Sequence, residues 1–241
     1  MRQINFHTFT KKLMTRFFTF IFMISILIAC KTKTKDQAIA IEKTSEAKKE
    51  LTTAKKIAKA HGIEHWKDVN EIQFTFNVNR GDNHSERSWK WNPKTNDVRL
   101  ISKKDTITFN RTSVDSLSQK ADKAFINDKF WLLVPFQLIW DEGTTISEPV
   151  CERSLLSNEV FFKITINYSD EGGYTPGDAY DIFYDHDYII REWVFREGNS
   201  KEPSMTTTFE NYKNLNGIKI AKDHKMAEGN FNLYFSNIKI N

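Results

Sequence analysis

The sequence predicts an α+β fold that is mainly antiparallel β. Three observations lead there. Apolar and polar side chains alternate through much of the chain, as in Ile72, Phe74, Phe76 and Val78. Turn residues recur between these runs at short, regular spacing. The alternation lapses in two places beyond residue 50, one leading stretch and one mid-chain segment, and both have helical composition.

The leading helix is expected from about Lys48 to His61. Leu51, Ala54, Ile57 and Ala58 fall near one face, and Gly62 follows as a C-cap. From Glu71 the period becomes two. Arg80-Gly81-Asp82-Asn83 has turn chemistry. Trp89 and Trp91 then alternate with Ser88 and Lys90 until Pro93, so this is a hairpin with one apolar face. Val98–Ser102 and Thr106–Phe109 form a second hairpin through Lys103-Lys104-Asp105.

The middle of the chain differs. Thr112–Asp122 is polar and helix-compatible, with Thr112 or Ser113 as its cap. Phe125–Trp140 is strongly apolar, with Pro135 inside it, and a proline there kinks or interrupts a helix. Two readings of this segment are open: a helix buried in the core, or one that lids an apolar cavity.

Strands return after Gly143. Val160, Phe162, Ile164, Ile166 and Tyr168 form one face of the next, and Ser169 to Gly177 is a loop. Tyr180, Ile182 and Tyr184 lead to the turn Asp185-His186-Asp187, and Ile189, Arg191, Trp193 and Phe195 come back. Met205–Phe209, Gly217–Ala221 and Phe231–Ile238 complete a meander of roughly nine or ten strands. No internal repeat is evident. Residues 51–241 make one domain, able to bury roughly 70% of its surface.

The first 29 residues read as a secretory signal peptide. Lys11, Lys12 and Arg16 supply a basic start, and Phe17–Ala29 is an apolar run of 13 residues. That is short of the roughly 20 a helix needs to cross a bilayer. Met14 is an alternative start, because Arg16 alone keeps the basic character. Leu27-Ile28-Ala29-Cys30 resembles the lipobox of bacterial lipoproteins. The resemblance implies cleavage before Cys30 and lipid attached to it, at about 0.8 kcal/mol per buried methylene. The other cysteine is Cys151, so no internal disulfide is possible once Cys30 carries lipid. Residues 30–50 read as the lipidated cysteine and a solvated tether rich in Lys, Thr, Glu and Ala. The run Lys-Thr-Lys-Thr-Lys after Cys30 is not acidic. The expected place is the cell envelope, at the outer membrane and facing the periplasm.

Charge excludes one class of partner. The chain has 35 basic and 31 acidic residues, and the first 29 residues hold four basic ones and no acid. Removing them leaves 31 of each, so the basicity belongs to targeting and gives no argument for nucleic-acid binding.

Three phrases carry a family resemblance. Ala60-His61-Gly62 precedes the first strand. Phe130-Trp131-Leu132-Leu133-Val134-Pro135-Phe136 is similar to a helical plug segment. Thr208-Phe209-Glu210-Asn211-Tyr212 is followed by Asn216-Gly217-Ile218-Lys219-Ile220. Together with the element order, over about residues 55–241, they resemble the LolA/LolB-like family of periplasmic lipoprotein and lipid carriers. The resemblance implies a strongly curved, incomplete β-barrel. A leading helix and a mid-chain helical insertion would plug its concave face around a cavity that takes acyl chains.

Other chemistry is thin. His61-Gly62-Ile63-Glu64-His65 matches H-x-x-E-H, but Gly62 ends the helix that the pattern requires. Asp170, Glu171, Asp178 and Asp181 lie near glycines without the spacing of a calcium loop. There is no G-x-S-x-G, no P-loop and no ordered catalytic constellation, so a non-enzymatic protein without a cofactor or bound metal is expected. Aromatic residues are 13% of the chain, which suits both a sheet core and a ligand cavity.

The cavity candidates are Phe74, Phe76, Trp89 and Trp91 of the first hairpin and Phe109 of the second. Trp131, Leu133 and Phe136 come from the insertion, and Phe162 and Trp193 from the later strands. Two function classes follow: a lipid-anchored protein binding a lipid, an acylated protein or another apolar ligand, or a scaffold lipoprotein with a filled core. A cavity of several hundred Å³ beneath residues 125–140 separates them.

Overall fold

The computed structural model describes residues 50–171, 175–227 and 230–241. The signal-like segment, Cys30 and the tether up to residue 49 lie outside the described residues. Residues 48–241 make one compact unit. Both of its hydrophobic clusters are built from residues within that unit.

The leading helix α1 (Thr53–Ala60) starts at Thr52, whose hydroxyl accepts from Lys55 N at 3.4 Å. Ala54, Ile57 and Ala58 face inward, three to four residues apart as one helical stripe requires. Leu51, expected on that stripe, precedes the cap and is exposed. Gly62 follows the helix at φ +91° and turns the chain into a 3₁₀ segment, Ile63–Asp68.

Two open antiparallel sheets follow, so the fold is α+β and mainly antiparallel β, and neither sheet closes into a barrel. The first contains β1 (Ile72–Arg80), β2 (Asn83–Asn92), β3 (Asp97–Ile101) and β4 (Thr106–Asn110). The last strands, β13 (Asp223–Lys225) and β14 (Phe231–Ile240), complete it in the order β13-β14-β1-β2-β3-β4. The chain end therefore returns to the first strand, with Ile240 opposite Ile72. The second sheet contains β5 (Thr144–Ile146), β6 (Val150–Arg153), β7 (Val160–Tyr168), β8 (Ala179–Tyr184), β9 (Ile190–Arg196) and β10 (Met205–Thr208). Its order is β10-β9-β8-β7-β5, with β6 also on β7. A small ribbon pairs β11 (Lys213–Leu215) with β12 (Ile218–Ile220).

Fourteen strands among the described residues exceed the nine or ten expected. The additions are β5, β6, β11 and β13, each of three or four residues, too short to carry a readable alternation. One expected face is split. Ile164, Ile166 and Tyr168 are buried beside α1 residues Ala54 and Ile57, whereas Val160 and Phe162 stay 58% and 40% exposed. Helical cover reaches only the later half of β7.

The insertion is a single helix, α2 (Gln119–Trp140). It starts later than Thr112 or Ser113. Asp115 Oδ1 accepts from Ser118 N at 2.8 Å, and this local bond holds the preceding residues in turns. Pro135 does not end the helix. It has no N–H for the Trp131 carbonyl, and the backbone leaves helical geometry at Leu133 (φ −122°, ψ 22°). Around this kink the side chains divide. Phe130, Val134 and Leu138 pack with the second sheet, while Phe125, Leu132, Leu133 and Phe136 pack with the first. Each fully buried side chain of this size contributes about 1.5–3 kcal/mol, so α2 is the common core of both sheets.

Candidate functional site

The site is a cavity of about 590 Å³ between the two sheets, floored by α2. Strand register builds its first wall. On β1, Phe76, Val78 and Arg80 share one face, because alternate residues of a strand do. Opposite them on β14 stand Phe235, Leu233 and Phe231, and on β2 stand Arg87, Ser85 and Asn83. Three rows therefore run outward: Phe235–Phe76–Arg87, then Leu233–Val78–Ser85, then Phe231–Arg80–Asn83. The β14 side is apolar throughout, and the β2 side is polar.

The second sheet supplies the other wall through Tyr180, Trp193, Phe195 and Met205. Phe130 and Trp131 of α2 form the floor. Trp131 lies against Trp193 at 4.3 Å between ring centroids and against His224 at 5.4 Å. Trp193 Nε1 and His224 Nε2 are buried and have no hydrogen-bond partner among the described residues.

Electrostatics centres on Asp128, a fully buried carboxylate of α2. Arg87 donates to it from Nε at 2.9 Å and from Nη2 at 2.6 Å, and Trp89 Nε1 donates at 2.8 Å. Burial raises the Asp128 pKa above the ordinary carboxylate value, although the bond to Arg87 works the other way. Arg87 also lies over the Phe76 ring at 5.3 Å, and Arg80 over the Phe231 ring at 5.5 Å. Arg80 is exposed and is in none of the ion pairs among the described residues.

No family model and no curated protein matches the chain. Among solved structures, it is similar to the crystal structure of a DUF1329 family protein from Desulfovibrio piger. That likeness covers 78% of this chain and 92% of the other, at 10% identity and a TM-score of 0.43.

Of the residues expected to line a cavity, Phe76, Trp131 and Trp193 do so. Phe74, Trp89, Trp91 and Phe109 are instead buried in the core with Leu133 and Phe136. The reason is position along the strand. Phe74 and Phe76 share a face and one core cluster, but Phe74 lies opposite Trp89, whose ring packs on Phe125 of α2, whereas Phe76 lies opposite Arg87 and borders the cavity. Phe162 lies away from the cavity, stacked on Tyr184 at 5.6 Å. Sequence reasoning missed Arg80, Ser85 and Arg87. The period from Phe76 through Val78 continues to Arg80, and that signal was obscured by reading Arg80 as part of a turn.

The remaining motifs have structural roles. His61 is fully buried, its Nδ1 2.8 Å from the Ile57 carbonyl, and burial lowers its pKa to about 4. The His65 ring packs against Gly217. Asp181 pairs with Arg196 at 3.1 Å, and Asp178 accepts from Gly198 N at 2.8 Å. No group of three or more His, Cys, Asp or Glu among the described residues is placed to hold a metal. No helix among them is long and apolar enough to cross a membrane.

Proposed function

We propose that this chain is a lipid-anchored protein of the cell envelope, facing the periplasm. It is not an enzyme. It binds a lipid, the acyl part of a lipidated protein or another apolar ligand between its sheets, in the manner of the LolA/LolB-like carriers it resembles. The observation that supports this most is the cavity of about 590 Å³ floored by Phe130 and Trp131. Ligand pockets span roughly 300–1,000 Å³; this one lies in that range, with an aromatic floor and apolar β14 side facing a polar β2 side. A scaffold with a filled core has no use for such a space. The anchor rests on Leu27-Ile28-Ala29-Cys30 and the apolar run before it.

Native mass spectrometry of the full chain purified from its own cells tests the reading. A bound lipid or acylated protein is expected in addition to lipid on Cys30. Protein that carries no guest, and that takes up no apolar fluorescent probe afterwards, would refute ligand binding. Separately, Cys30→Ser should abolish acylation. An unchanged mass and unchanged membrane fractionation would refute the anchor.

A further inference from the structure

We propose that the cavity selects amphiphiles with an anionic head group, holding the chain between the sheets and the anion at Arg80. This rests on the cavity being a ligand site. It adds the chemistry of the ligand's polar end.

The argument starts from the three rows of the wall. The β14 and β1 columns are apolar from the floor outward until the last row, where β1 ends in Arg80. The β2 column is polar at every row. A chain lying along the apolar columns therefore brings its polar end to the rim beside Arg80. Arg87 and Arg80 stand two rows apart, about 13 Å along the strands, and only Arg80 is at the strand end.

The two arginines are prepared differently. Asp128 occupies Nε and Nη2 of Arg87, which balances its charge and fixes its plane. Its Nη1 has no partner among the described residues and remains a directed donor. Arg80 is in none of the ion pairs among the described residues. Its guanidinium rests over Phe231, a cavity-lining ring, at 5.5 Å. A guanidinium offers paired donors that match carboxylate or phosphate oxygens. No Asp or Glu lines the cavity among the described residues. His84 also borders the cavity, but its Nδ1 is 2.7 Å from Asn79 Oδ1 and its ring is stacked on Tyr234. It is not part of the anion seat. An alcohol or a neutral ester gains nothing from the Arg80 charge, whereas a carboxylate or phosphate does.

The test compares three photoreactive probes of equal chain length: a diazirine-bearing hexadecanoic acid, the matching hexadecanol and the matching hexadecyl phosphate. Each is irradiated in lysate of cells expressing the full chain. Adducts are mapped by peptide mass spectrometry to β1, β2 and the Phe130 region of α2. Labelling by the acid or the phosphate is expected to exceed the alcohol at least tenfold. Arg80→Gln should bring it down to the alcohol's level, and Arg80→Lys should restore most of it. Arg80 is exposed, so these variants are expected to keep the fold. A stronger signal from the acid points to free fatty acids, and one from the phosphate to phospholipid head groups. Equal labelling by all three probes, insensitive to Arg80→Gln, overturns the anion seat and leaves the cavity as a ligand site. Absence of cavity adducts from every probe overturns both.

Discussion

Truncating Trp131 and Phe136 separates cavity from core within one helix. Phe136 is 1% exposed and packs edge-on to Trp66 at 5.7 Å and against Trp140 at 5.3 Å. Its removal leaves a void in a filled cluster, so Phe136→Ala should cost about 3–5 kcal/mol. Trp131 is larger but only partly buried. One side lies on Trp193 and His224, and the other faces the cavity. Part of its surface has no protein neighbours to lose, so Trp131→Ala should cost about 1–2 kcal/mol, below the usual range for a buried Trp. The assay is urea unfolding of the compact unit 48–241, paired with titration of an apolar fluorescent probe. Trp131→Ala should weaken probe affinity at least fivefold with modest destabilisation. Phe136→Ala should do the reverse, and Phe136→Leu provides a milder variant if the first fails to fold. Suppose instead that Trp131→Ala is as destabilising as Phe136→Ala and the parent binds no probe. The cavity reading then fails and a filled scaffold remains.

Three further outcomes are expected. His61 and His224 are fully buried, and burial lowers their pKa values from 6.5 to about 4 and about 3. The unfolded chain then binds more protons in that window, so stability is full above pH 6.5 and falls towards pH 4. At pH 5 each histidine costs about 2 kcal/mol. Asp128 and Asp141, raised by burial, oppose this. Replacing both histidines with Gln should therefore flatten the stability slope between pH 7 and 5, and an unchanged slope in urea titrations would contradict the assignment. Arg87→Ala strands the buried Asp128 carboxylate and should cost about 2–4 kcal/mol at pH 7, less than a fully buried pair because Arg87 is partly exposed. The loss should shrink on acidification as Asp128 takes a proton, and a pH-independent loss would show that the pair is not ionic. Gly62→Ala places a Cβ 2.0 Å from the Gly217 carbonyl oxygen at a positive φ. It should lower stability by about 2–4 kcal/mol, and a melting temperature within a degree of the parent would refute that packing.

The hairpins were legible because one face is buried and the other wet, which writes a period of two into the sequence. The first hairpin turns at Gly81 and Asp82, within the expected Arg80–Asn83 turn. The three- and four-residue strands were not legible, because three residues hold no period. The boundary between core and cavity was not legible either. Phe74 and Phe76 are chemically equal and share a face, and they differ in what stands opposite, Trp89 packed on Phe125 for one and Arg87 beside the cavity for the other. The two phrases around Gly62 and Gly217 meet in space: Lys219 N donates to the His61 carbonyl at 2.9 Å. Glycine at both positions is what allows that close approach. Nothing local in either phrase announces the other.

Asp128 decides how far the two readings of the apolar insertion can both hold. An acid inside an apolar helix is costly unless paired. Here Arg87 and Trp89 of β2 pair with it, so the N-terminal half of α2 is pinned to the first sheet. Beyond the kink at Leu133, Leu138 binds the second sheet and Phe136 the first. Swinging α2 away as a lid would expose Phe125, Phe130, Leu132, Leu133, Val134, Phe136 and Leu138. At about 1.5–3 kcal/mol each, that exceeds 10 kcal/mol, comparable to the whole stability of a typical domain. The insertion is therefore a core helix whose Phe130–Trp131 stretch happens to floor a cavity. The α2 side chains left to adjust to a guest are those that line the cavity without being fully buried, Trp131 and Asn127.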